Sequence, residues 1–156
     1  MIIVSPSLHR DSIDESTIFT SYQIGGSKKG GSYVNNAGQD NPTYQFFPSR
    51  GASVPLPVLA RTLPANLFPL TWLLPSGRLL IQSNLETILL NYETNEETPL
   101  DSMPDAIRVY PASAGTIMLP LTPANNYTAT VLFCGGSNIT SDEYELLESF
   151  FVEMSF

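Results

Sequence analysis

Apolar runs that break off at a nearly constant interval constrain the architecture of this chain more than any other feature. If Gly25, Gln82 and Gly135 mark equivalent positions, the intervals are 57 and 53 residues. Within one interval, 69–81 reads as strand, turn, strand, with Pro75-Ser76-Gly77 supplying the preset φ and the permissive φ of a tight reversal. A third apolar run follows at Thr87-Ile88-Leu89-Leu90, and Asn91-Tyr92-Glu93-Thr94-Asn95 reads as its polar end and turn. The pattern returns at 115–121, turns at Pro123-Ala124-Asn125-Asn126, and comes back through 128–133 to Gly135-Gly136. Thirteen prolines and ten glycines, spread along the chain, suit many short strands better than long helices.

Repeated four-stranded sheets of about 50 residues are the period of kelch-type propeller blades, which pack face to face. Apolar runs on inner strands suit sheets buried on both faces. The expectation is therefore an all-β fold, a fragment of a kelch-like β-propeller of about two to three blades. An ordinary β-sandwich with coincidental spacing is the alternative. With 42% hydrophobic and 14% charged residues the chain is too apolar for a disordered tail, and 156 residues suffice for a real core.

Charge and targeting signals exclude several functions. A net charge of −8, with seven basic residues in no patch, repels phosphate backbones, so nucleic acid is not an expected partner. No stretch approaches the roughly 20 apolar residues of a membrane span, and residues 1–10 do not read as a signal peptide. One cysteine excludes an internal disulfide. Asn126-Tyr127-Thr128 and Asn138-Ile139-Thr140 are sequons, which makes Asn126 and Asn138 candidate N-glycosylation sites and is compatible with secretion.

Several motifs, in order, closely resemble stretches of fungal glyoxal oxidases. They are Asn41-Pro42-Thr43-Tyr44-Gln45-Phe46-Phe47-Pro48, Leu63-Pro64-Ala65-Asn66-Leu67-Phe68-Pro69-Leu70 and Leu73-Leu74-Pro75-Ser76-Gly77-Arg78-Leu79. Tyr110-Pro111-Ala112-Ser113-Ala114-Gly115, Met118-Leu119-Pro120-Leu121-Thr122-Pro123-Ala124-Asn125-Asn126 and Val131-Leu132-Phe133-Cys134-Gly135-Gly136 continue the series. The resemblance to this copper radical oxidase family, related to galactose oxidase, implies a secreted protein with a seven-bladed propeller and one copper ion. It implies oxidation of small aldehydes such as glyoxal and methylglyoxal, with O2 reduced to hydrogen peroxide. The family's site uses two histidines, an axial tyrosine and a tyrosine thioether-linked to a cysteine. By the same resemblance those residues fall outside this chain, so no catalytic, cofactor-binding or metal-binding residue is assigned, and the isolated fragment is expected to be inactive and without copper. A non-catalytic kelch-like module that binds protein or glycan is the other reading.

The residues most easily mistaken for site residues read as structural. Cys134, closing an apolar strand, reads as a small hydrophobe. Tyr110, Tyr44, Phe46 and Phe47 read as packing aromatics. His9 is the single histidine and lies in a polar stretch, whereas a copper site of this class needs two imidazoles. Asp142, Glu143, Glu145 and Glu148 read as a solvated face. Residues 1–140 are expected to be the partial propeller domain and 141–156 a divergent tail. Residues 4–23 interrupt an apolar strand running into Gly25-Gly26, in frame, with codons at both ends able to encode splice signals. They are expected to be a translated intron or an inserted loop.

Overall fold

The computed structural model describes residues 2–6, 19–28, 38–109, 114–140, 143–146 and 151–156. Strands β1 (Ile2–Pro6), β2 (Phe19–Ile24), β3 (Thr43–Phe47) and β4 (Val54–Pro55) form a first antiparallel sheet in chain order. A five-residue helix, α1 (Pro57–Arg61), leads to a second meander of β5 (Leu70–Leu73), β6 (Leu79–Ser83), β7 (Glu86–Asn91) and β8 (Glu96–Pro99). Next come β9 (Gly115–Met118), a single 3-10 turn (Pro123–Asn125) and β10 (Thr130–Cys134). The hairpin of β11 (Ser137–Thr140) and β12 (Glu143–Leu146) intervenes before β13 (Phe151–Ser155). The third sheet runs β13-β10-β9, so the returning strand pairs with the far side of β10.

The second sheet is the middle layer. Along β6 every residue is buried, which a strand exposed on one face cannot achieve. Leu79 and Ile81, with Ile88 and Leu90 opposite them on β7, face the first sheet and pack on Tyr22, Ile24 and Tyr44. Leu56, Val58 and Leu59, on and beside α1, complete that core. Leu80, pointing the other way, joins Val131 and Phe133 of the third sheet, with Trp72 and Leu89 beside it. Trp72 Nε1 also donates to Thr116 Oγ1 at 3.0 Å, a polar tie across this second interface. Three sheets stacked face to face, two of them four-stranded meanders, make the chain an all-β propeller fragment.

The expected turns fall in place. At 74–78 the Gly77 N–H donates to the Leu74 carbonyl (2.9 Å), and β5 and β6 pair on either side. The repeat equivalence needs one correction. Gly25 (φ +69°) and Gly135 (φ +77°) each follow the second strand of their sheets, but Gln82 lies inside β6. Its counterpart in the left-handed region is Asn84 (φ +51°), two residues later, immediately after β6 ends at Ser83. The run at 115–121 is a strand only to Met118. Phe47 lies outside this core: alternation along β3 turns Tyr44 inward and leaves Phe47, 73% exposed, on the outer face of the first sheet, where an inter-blade contact would fall. Residues 4–6 and 19–23 pair as arms of the β1–β2 ladder, and 143–146 and 151–155 of the tail are strands.

Candidate functional site: the loop-bearing end of the sheets

The connections that follow the second strand of each sheet, and those that lead from one sheet to the next, meet at one end of the molecule. Backbone hydrogen bonds tie them into a continuous rim. Gly26 N donates to Leu67 O at 2.7 Å, Asn84 N to Ala65 O at 2.9 Å, and Met103 N to Leu85 O at 2.7 Å. Ile107 and Ser137 exchange two further bonds, at 3.1 and 3.0 Å. Most of the buried polar side chains sit on this rim: Asp40, Thr62, Asn66, Ser83, Arg108 and Ser137. The opposite end, with turns around Ser76, Glu93 and Asn126, is exposed.

Two rim features have site-like chemistry. The Thr62 hydroxyl donates to the Val58 carbonyl at 2.6 Å and lies 2.7 Å from Ser83 Oγ, joining α1 to β6. Arg108 is fully buried, and its Nη1 donates to the carbonyls of Pro104 (2.8 Å) and Ala106 (2.9 Å). Among the described residues its Nε and Nη2 have no hydrogen-bond partner. Burial pulls the guanidinium below its ordinary pKa, and Asp105 and Cys134 pull the other way. Asp40 and Asn66 form the second feature, a buried carboxylate–amide pair at 3.1 Å. Asp40 carried no sequence signal. Arg108 did, as a lone charge inside the apolar run Ala106-Ile107-Arg108-Val109.

Of the residues singled out in the sequence, Tyr44 is buried, and its hydroxyl lies 3.3 Å from Asn95 Oδ1. Phe46 packs half-buried against Tyr22 and Tyr92. Cys134 is a half-buried free thiol on β10, opposite Gly115 and Phe151. Asn126 caps the 3-10 turn in the left-handed region, on an exposed loop. Asn138 lies on β11, and Glu143 and Glu145 on β12. His9, Tyr110, Asp142 and Glu148 lie outside the described residues.

The residues do not fit a copper radical centre. One histidine in the whole chain cannot supply two imidazole ligands. Cys134 belongs to the third sheet, whereas Tyr22, Tyr44 and Tyr92 lie between the first two, so it cannot be bonded to any of those rings. Among the described residues no three His, Cys, Asp or Glu side chains gather, and no helix is long and apolar enough to cross a membrane.

Comparison with known proteins assigns the ancestry. The family model described as the glyoxal oxidase N-terminus matches residues 18–153. An aldehyde oxidase, GLOX, from Vitis pseudoreticulata is 33% identical over 116 residues, covering 69% of this chain and 21% of its own length. Aldehyde oxidase GLOX1 of Arabidopsis thaliana is 40% identical over 80 residues, 46% of this chain and 12% of that protein. Both are plant proteins, not the fungal ones expected, and this chain spans only about a fifth and an eighth of their lengths. No solved structure matches. With most of its residues under one family model and its sheets stacked as propeller blades, the chain belongs to the glyoxal oxidase family, within its N-terminal domain.

Proposed function

We propose that this chain is the scaffold part of a secreted, copper-dependent oxidase of small aldehydes such as glyoxal and methylglyoxal. The match across residues 18–153 carries the reading. The reaction takes a hydrated aldehyde to its carboxylic acid. Two electrons and two protons pass to O2, giving hydrogen peroxide. Copper and a linked tyrosine supply that redox chemistry in the family, and the single histidine of this chain supports the reading that their ligands lie outside it. Its own contribution is architectural: three stacked sheets whose loops converge on one rim.

The purified 156-residue chain is expected to retain no stoichiometric copper and to form no peroxide with methylglyoxal. A longer product of the same gene, carrying two histidines and the tyrosine–cysteine pair, should do both. Peroxide from the short chain would overturn the assignment of its ligands. A longer product without those residues would favour a kelch-like module binding protein or glycan. Sequencing the transcript decides whether residues 4–23 are translated. Asn126, on an exposed turn, and Asn138 are proposed glycan acceptors, to be checked by a mobility shift after enzymatic deglycosylation of the secreted protein.

A further inference from the structure

Where the rim joins the first two sheets, buried oxygen atoms gather with too few donors. Asp40 is 4% exposed, and the hydrogen bond to its carboxylate comes from Asn66 Nδ2. The same nitrogen gives its other proton to the Leu59 carbonyl. Both partners are acceptors, so the amide cannot be turned over. Asn66 is 2% exposed, and among the described residues its Oδ1 finds no hydrogen-bond partner, nor does Ser27 Oγ.

The backbone holds these groups together. Ser27 and Asp40 face each other in an antiparallel bridge, flanked by bonds from Lys28 N to Gln39 O (2.8 Å) and from Asn41 N to Gly26 O (2.8 Å). The Gly26 N to Leu67 O bond brings Asn66 alongside. Among the described residues no lysine or arginine forms an ion pair with Asp40, while Arg61 is taken by Glu86 and Glu97. Leaving such acceptors buried and unpaired costs roughly 1–3 kcal/mol each, and more for a carboxylate.

A water molecule would give two protons but leave the carboxylate charge uncompensated. A cation answers both needs. The donors are all oxygen and include one carboxylate, which suits a hard ion and excludes metals that prefer nitrogen or sulfur. Calcium accepts irregular oxygen shells at about 2.3–2.6 Å, closer than a water's hydrogen bonds, whereas magnesium demands a tight octahedron. We propose that Asp40, Asn66 and Ser27 bind one calcium-class cation that clamps the first sheet to the second. The proposal does not depend on the oxidase reading.

The test is equilibrium dialysis of the EGTA-treated chain against radioactive calcium, with thermal unfolding followed in CaCl2, MgCl2 or EGTA. One calcium per chain is expected, with half-saturation at or below roughly 1 mM, the weak end of extracellular sites. Unfolding should shift upward in calcium and not in magnesium. D40N should lose at least tenfold in affinity. S27A, which removes one of the unpaired oxygens, should weaken binding without lowering the unfolding temperature in EGTA. No bound calcium, or equal binding by the wild type and folded S27A, overturns the site, as does the absence of a calcium-dependent shift in the wild type, which would leave a buried water as the occupant.

Discussion

Gly136 shows how closely one residue can be held. Its φ is +125°, and a Cβ there would stand 2.8 Å from the Ile107 carbonyl oxygen and 2.9 Å from Ala106 Cβ. Backbone at that distance cannot step aside, so Gly136→Ala should cost about 3 kcal/mol or more in urea unfolding. Gly77 is the control. It too has a positive φ, +79°, but nothing lies within 4 Å of its would-be Cβ, so Gly77→Ala should cost only the strain, roughly 1 kcal/mol. Equal losses would mean that the close approach at Gly136 is absent. Tyr22 makes a second prediction. Burial, followed by its hydrogen bond to Tyr92, pushes its phenol well above the ordinary value near 10. The folded chain therefore keeps a proton that the unfolded chain releases. This contribution is complete below pH about 10 and is lost as pH rises further. Tyr22→Phe should flatten the fall of the urea midpoint above pH 10, and an unchanged slope would show that Tyr22 is not the group responsible.

Strand β6 carries the packing of the molecule on two faces at once. Leu80→Ala and Ile81→Ala should each cost about 2–5 kcal/mol, the usual loss for emptying a core position. The damage should differ in place. Leu80 supports the interface with the third sheet and Ile81 the one with the first, so amide exchange should quicken at Val131 and Phe133 in one variant and at Tyr22 and Ile24 in the other. Exchange changing at the same amides in both would contradict the three-layer stack. Much of this element was legible in the sequence: Pro75-Ser76-Gly77 between two apolar runs fixes the hairpin, and an unbroken apolar run marks a strand covered on both sides. Helix α1 was not, since five residues beginning at a proline carry no helical periodicity. Nor was the β11–β12 interruption of the third sheet, because pairing of β13 with β10 is a non-local choice that no local pattern encodes. Arg108 apart, the rim polar residues were hidden for the same reason. Asp40 and Asn66 are ordinary loop residues until a backbone bridge brings them together.

The third sheet gives the stack an uncovered face. Its inner residues, Val131 and Phe133, are fully buried, but Ile117 is 55% exposed, and Leu119 and Leu132 lie beside it on partly open surface. The first sheet ends differently. Its described outward residues include Gln23 and Gln45, whose side chains bond to each other at 2.7 Å, and a single large apolar one, Phe47, 73% exposed at the end of β3. Neighbouring blades cover such faces in a propeller, and a sheet whose β-branched face stays open offers a template for association. The two ends should therefore behave unequally in the isolated chain. Self-association should proceed through the third sheet, where Ile117, Leu119 and Leu132 lie together, rather than through the first, where the lone Phe47 adjoins glutamines whose desolvation would cost hydrogen bonds. Ile117→Lys should raise the concentration at which light scattering appears by several-fold and leave the unfolding midpoint within about 0.5 kcal/mol, as surface changes usually do. Gln45→Lys should not raise it. If both substitutions suppress association equally, net charge rather than the apolar face controls it.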